Sequence, residues 1–127
     1  MKILYFHPIG SFNVGDDITY EGSLHVLKTS FPNHQVETFF TEDINSITEN
    51  DTNLFSSCDM LVVSGTPWFW DQCQVSKKYE VLKYMISVFK DRPKIALGLG
   101  SCYPMVFSYS EDYNYIKEIW GQFNFIS

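Results

Sequence analysis

Asn13, Gly15, Asp16 and Asp17 stand close together in His7-Pro8-Ile9-Gly10-Ser11-Phe12-Asn13-Val14-Gly15-Asp16-Asp17, just after the apolar run Ile3-Leu4-Tyr5-Phe6. An amide and two carboxylates at a glycine-bearing turn are suited to holding a polar ligand. The next segment has helical spacing, with Tyr20, Leu24, Leu27 and Phe31 apolar. A strand that breaks into a turn and then a helix leaves a concave spot, and the first helical N–H groups point into it. Each of these residues also has a purely structural use. An aspartate at a helix start caps free N–H groups and complements the dipole for about 0.5–2 kcal/mol. Asn13 can close a turn on its own backbone.

Two more loops carry unusual residues. One is Gly65-Thr66-Pro67-Trp68-Phe69-Trp70-Asp71, and the other is Gly98-Leu99-Gly100-Ser101-Cys102-Tyr103-Pro104. The rings from Trp68 to Trp70 read as a stacking platform for a sugar or base, or as a contact with a second domain. The plainer alternative folds them back over a sheet edge. Gly98-x-Gly100-Ser101 resembles part of a phosphate-binding glycine turn without its third glycine. Those glycines can equally serve close approach of helix and strand. The candidate substrate-binding set is therefore Asn13, Gly15, Asp16, Trp68, Trp70, Gly98, Gly100 and Ser101. His7 ends the first strand within reach of such a cleft, although a lone histidine there is more often a hydrogen-bonded structural residue. Cys102 has no identifiable partner base. No Ser-His-Asp pattern, HExxH motif or metal-ligand spacing appears, so no catalytic residue is assigned, and neither a metal nor a cofactor is expected.

Strand and helix signals alternate along the chain. Strands are expected at Lys2–Phe6, Gln35–Phe40, Met60–Ser64, Lys94–Leu99 and Phe123–Ser127. Helices are expected from Asp16 or Asp17 to before Pro32, over Ser76–Lys90, and over Glu111–Trp120, with Pro93 and Gly121 as stops. The polar stretch Thr41–Ser57 has room for one or two short helices. Runs such as Met60-Leu61-Val62-Val63 do not alternate with polar residues, as in strands buried on both faces. The pattern predicts one α/β domain over residues 1–127: a Rossmann-like, doubly wound, mainly parallel sheet of about five strands with helices on both faces. The loops after its strands should gather at the carboxyl edge.

Composition narrows the partners. The chain has 127 residues, a formal net charge of −6 and Arg92 as its sole arginine. A nucleic-acid or anionic-membrane surface needs clustered Lys/Arg, so neither partner is expected. Cys58, Cys73 and Cys102 lack zinc or CxxC spacing and read as reduced thiols. No stretch reaches the roughly 20 apolar residues of a transmembrane span, and the expected location is cytoplasmic. Aromatic residues form 17% of the chain, too many for one small core to hold entirely.

Three segments together resemble the polysaccharide pyruvyl transferase family: Asn13-Val14-Gly15-Asp16, the strand Asp59-Met60-Leu61-Val62-Val63-Ser64-Gly65, and Lys94-Ile95-Ala96-Leu97-Gly98-Leu99-Gly100. The resemblance implies one half of a two-domain, glycosyltransferase-B-like architecture, here the N-terminal half. The implied activity is transfer of a pyruvyl group from phosphoenolpyruvate to a sugar hydroxyl pair of a cell-surface glycan. It implies a sugar or glycan acceptor, and phosphoenolpyruvate bound together with a C-terminal domain. This chain departs from the family after the third strand, where bulky rings follow Ser64-Gly65-Thr66-Pro67 in place of a glycine-rich turn. Phosphoenolpyruvate carries two anionic groups and calls for Arg or Lys. None of the three loops has either, and only Lys77 and Lys78 stand nearby. The chain alone is thus expected to be inactive. The alternative is a non-catalytic module that uses Trp68-Phe69-Trp70 for a glycan or protein partner, or for self-association.

Overall fold

The computed structural model describes residues 1–7, 14–65, 67–69, 76–101 and 110–127. Its centre is a five-stranded sheet in the order β2-β1-β3-β5-β7, built from β1 (Lys2–Phe6), β2 (Gln35–Phe39), β3 (Met60–Ser64), β5 (Lys94–Leu97) and β7 (Phe125–Ile126). Every neighbouring pair is parallel. The expected α/β, Rossmann-like architecture is therefore what the chain forms. Leu4, Phe6, Leu61 and Val63 face one side of β1 and β3, and Ile3, Tyr5 and Val62 face the other, all fully buried. Two-sided burial is why these strands read as unbroken apolar runs.

The helices divide unequally. Among the described helices, α1 (Val14–Ser30) covers the Ile3-Tyr5-Val62 face, through Tyr20, Leu24 and Leu27. α2 (Glu49–Ser57), α3 (Lys77–Val88) and α4 (Ser110–Trp120) supply Phe55, Tyr79, Leu82, Met85, Ile116, Ile119 and Trp120 to the opposite face. The polar stretch before β3 holds a 3-10 turn, Ile44–Ser46, and then α2. Thr48 and Asp51 start α2 with a reciprocal capping box, which satisfies N–H groups that the first helical turn leaves free.

Two strands were not foreseen. β4 (Pro67–Phe69) and β6 (Gly100–Ser101) pair in parallel as a small second sheet past the carboxyl ends of β3 and β5. Proline fits as the first residue of β4, where no ladder donor is lost. Gly98 turns the chain between β5 and β6 at φ +62°, a conformation that favours glycine. At the amino edge, Lys94 Nζ donates to the carbonyls of Phe89, Lys90 and Arg92. Arg92 donates to those of Phe55, Cys58 and Val88. Burial holds the Lys94 amine below its ordinary pKa, and its three donors find three acceptors.

Candidate functional site

The strand order reverses between β1 and β3, since β2 lies to one side of β1 and β5 and β7 lie beyond β3. In open parallel sheets the crevice at such a point, outside the carboxyl ends, is where ligands bind. His7 continues β1 there and donates its backbone N–H to Phe39 O at 3.2 Å. Strand alternation puts His7 on the same face as Tyr5, beneath the start of α1.

The imidazole is built into this spot. It is only 2% exposed, and a Cβ at Gly65 would lie 2.0 Å from its Cε1 and 2.3 Å from its Nδ1. Gly65 also has φ +69°, so the glycine is required twice over: by its backbone and by the ring against it. Tyr5 Oη and Ser64 Oγ share a hydrogen bond of 2.5 Å below. Burial raises the Tyr5 pKa, which keeps the phenol protonated. Tyr20 stacks on Tyr5 at 5.7 Å between centroids, lies 5.6 Å from the His7 ring, and meets Phe40 edge-on at 4.9 Å.

Above these rings opens a cavity of about 160 Å³ lined by His7, Asp16, Asp17, Tyr20 and Phe40. Asp16 and Asp17 come from the first turn of α1, and Asp16 is itself buried. Burial lowers the His7 pKa, helped by the Lys78 charge, while Asp16, the Ser64 backbone and Asp17 act against the shift. The ring is therefore neutral at pH 7. Its Nδ1 is buried without a hydrogen-bond partner among the described residues. The site thus combines two carboxylates, a neutral imidazole and aromatic ring faces.

Of the residues expected to bind substrate, Asp16 lines this cavity, and Gly15 lies beside it in the first turn of α1, its carbonyl accepting from Thr19 Oγ1 at 2.8 Å. Trp68 is a correction. It is fully buried, edge-on to Tyr79 at 5.6 Å and to Trp120 at 5.4 Å, with Lys78 Nζ 4.8 Å above its ring. It belongs to the core and offers no platform, because α3 and α4 close over it. Gly98 lies at the β5–β6 turn, and Gly100 and Ser101 lie in the β4–β6 pair. Asn13, Trp70, Asp71 and Cys102 lie outside the described residues. His7, Tyr20 and Phe40 were missing from the expected set. His7 had a sequence signal in its place at the end of the first strand, within reach of the cleft, whereas Tyr20 and Phe40 had none that set them apart from core aromatics.

Lys77 and Lys78 do not line the His7 cavity. They border a wider cleft of about 440 Å³ with Glu42, Asp43 and Ser76, where Lys77 pairs with Asp43 at 3.4 Å. The described residues hold no cluster of three or more His, Cys, Asp or Glu side chains placed to bind a metal. They also contain no helix long and apolar enough to cross a membrane.

No family model and no curated protein matches this chain. Among solved structures it is similar to a phosphate-loop protein determined in solution. The two are 14% identical over 95% of this chain and 90% of that one, with a TM-score of 0.45.

Proposed function

We propose that this chain is the acceptor-side domain of a polysaccharide pyruvyl transferase-like protein, and that the His7–Asp16 cavity receives sugar hydroxyls. The reading draws on the Asn13-Val14-Gly15-Asp16 resemblance, and one observation carries it: among the described residues the lining has acceptors and ring faces but no cation. Carboxylates and a neutral imidazole accept hydrogen bonds from hydroxyl groups, while aromatic faces cover the apolar side of a sugar ring. The same carboxylates repel a dianionic donor. Lys77 and Lys78 are shared with Glu42 and Asp43 around the neighbouring cleft, so donor-binding cations would come from a complementary domain. Transfer to a hydroxyl requires its proton to leave, and the neutral His7 ring next to Asp16 is the base this site offers.

The test is calorimetric titration of the chain with simple galactosides, mannosides and phosphoenolpyruvate. The expected result is binding of one sugar class and no binding of phosphoenolpyruvate. Asp16→Asn should weaken the sugar about tenfold or more, the worth of a charged hydrogen bond, with a stability loss no larger than that of a lost cap. Tight phosphoenolpyruvate binding by a Lys77→Ala/Lys78→Ala double variant, with no sugar bound, would overturn the reading.

A further inference from the structure

α1 presents its sheet side through Asp16, Tyr20, Leu24 and Leu27, so its outer side should be polar. It is not. Val14, Ile18, Gly22 and Val26 follow one another at intervals of four, which on a helix makes a single continuous ridge. Val14 is 69% exposed, Ile18 68% and Val26 54%. Single exposed aliphatic residues need no explanation, but an aligned row of them does. Gly22 sits at the centre of the row, and a Cβ there would meet nothing within 4 Å. The fold of the chain itself therefore does not require this glycine, which weakens the helix by about 0.5–1 kcal/mol relative to alanine.

We propose that this ridge is a self-association surface, on which α1 of a second copy crosses antiparallel with Gly22 against Gly22. Antiparallel crossing sets Ile18 of each copy beside Val26 of the other, and the absent Cβ lets the two backbones approach closely. Charge selects this occupant and direction. The exposed residues Asp17 and Glu21 lie in the amino half of α1, and the exposed residues His25 and Lys28 in the carboxyl half. With Gly22 against Gly22, Asp17 of each antiparallel copy comes level with Lys28 of the other, whereas parallel copies in the same register would set Asp17 level with Asp17 and Lys28 level with Lys28. The patch is small beside the ~1,600 Å² of a standard interface, so the dimer forms weakly, on the order of 10 µM. The proposal does not rest on the sugar reading: Val14, Ile18, Gly22 and Val26 are not among the residues lining the cavity, and Asp17 alone borders both.

Sedimentation equilibrium of the whole chain over ~1–300 µM is the test, a range chosen to bracket a micromolar constant. The weight-average mass should climb from the 14.8 kDa monomer toward twice that value. Gly22→Leu fills the crossing point in open space and improves helix propensity, so it should fold as well as the parent and dimerise at least tenfold more weakly. Asp17→Lys should also weaken the dimer, and adding Lys28→Asp should restore it. A parent chain that stays monomeric throughout overturns the proposal. So does a dimer indifferent to Gly22→Leu, or a charge swap that fails to rescue.

Discussion

A neutral histidine walled in by a glycine is the residue on which the cavity depends. The sign of its pH dependence follows from burial. The folded-state pKa of His7 lies below its ordinary value of 6.5, so its contribution to stability is complete above 6.5. That contribution is lost as pH falls through the folded pKa, where the buried ring must take up a proton. Melting temperature should therefore fall between pH 7 and the folded pKa, and His7→Gln should flatten that part of the profile. Asp43, whose pKa is lowered by the Asn45 backbone N–H, acts in a separate window under 3.8. An unchanged slope in the His7 variant would assign the loss to another group. Asp16 was legible in the sequence because it follows Gly15 and stands three residues after Asn13. His7 was legible only as a histidine within reach of the cleft, and Tyr20 and Phe40 were not, since the three come from separate elements and meet only through strand register and helix rotation.

At the scale of elements, most segments were readable from local signals. Pro93 and Gly121 mark helix ends, and Tyr79, Leu82, Met85, Ile86 and Phe89 mark the buried side of α3 and its end. The cationic fastening of the amino edge was not readable. Arg92 reaches carbonyls of Phe55 and Cys58 more than thirty residues away, and no sequence pattern announces a contact at that distance. Those carbonyls belong to helix ends that need donors. Arg92→Met should destabilise the domain by about 2–4 kcal/mol, since hydrogen bonds to charged groups are worth about 1.5–3 kcal/mol. Urea denaturation would show this as a lower midpoint with an unchanged slope. Arg92→Lys should recover only part of the loss, because an ammonium cannot span the fork.

For the whole molecule, the cluster of Trp68, Tyr79 and Trp120 joins β4, α3 and α4 over the sheet. Tyr79 Oη donates to Trp68 O at 2.6 Å, and Trp120 Nε1 donates to Tyr79 Oη at 3.1 Å. Trp68→Ala should therefore cost about 3–5 kcal/mol, a large share of the ~5–15 kcal/mol that typically holds a domain together. Loss of near-ultraviolet circular dichroism at moderate temperature would register it, whereas a surface platform would leave that signal intact. Local signals in the chain were enough for the α/β class and for the positions of the five central strands. Hydrophobic periodicity, proline and glycine act locally and leave marks in the chain. Long-range packing is what makes Trp68 core, pairs parts of the second and third loops as strands, and sets His7 beside Asp16 at the cavity. Burial is a property of the neighbours that surround a side chain, and those neighbours are set by how the helices close over the two faces of the sheet.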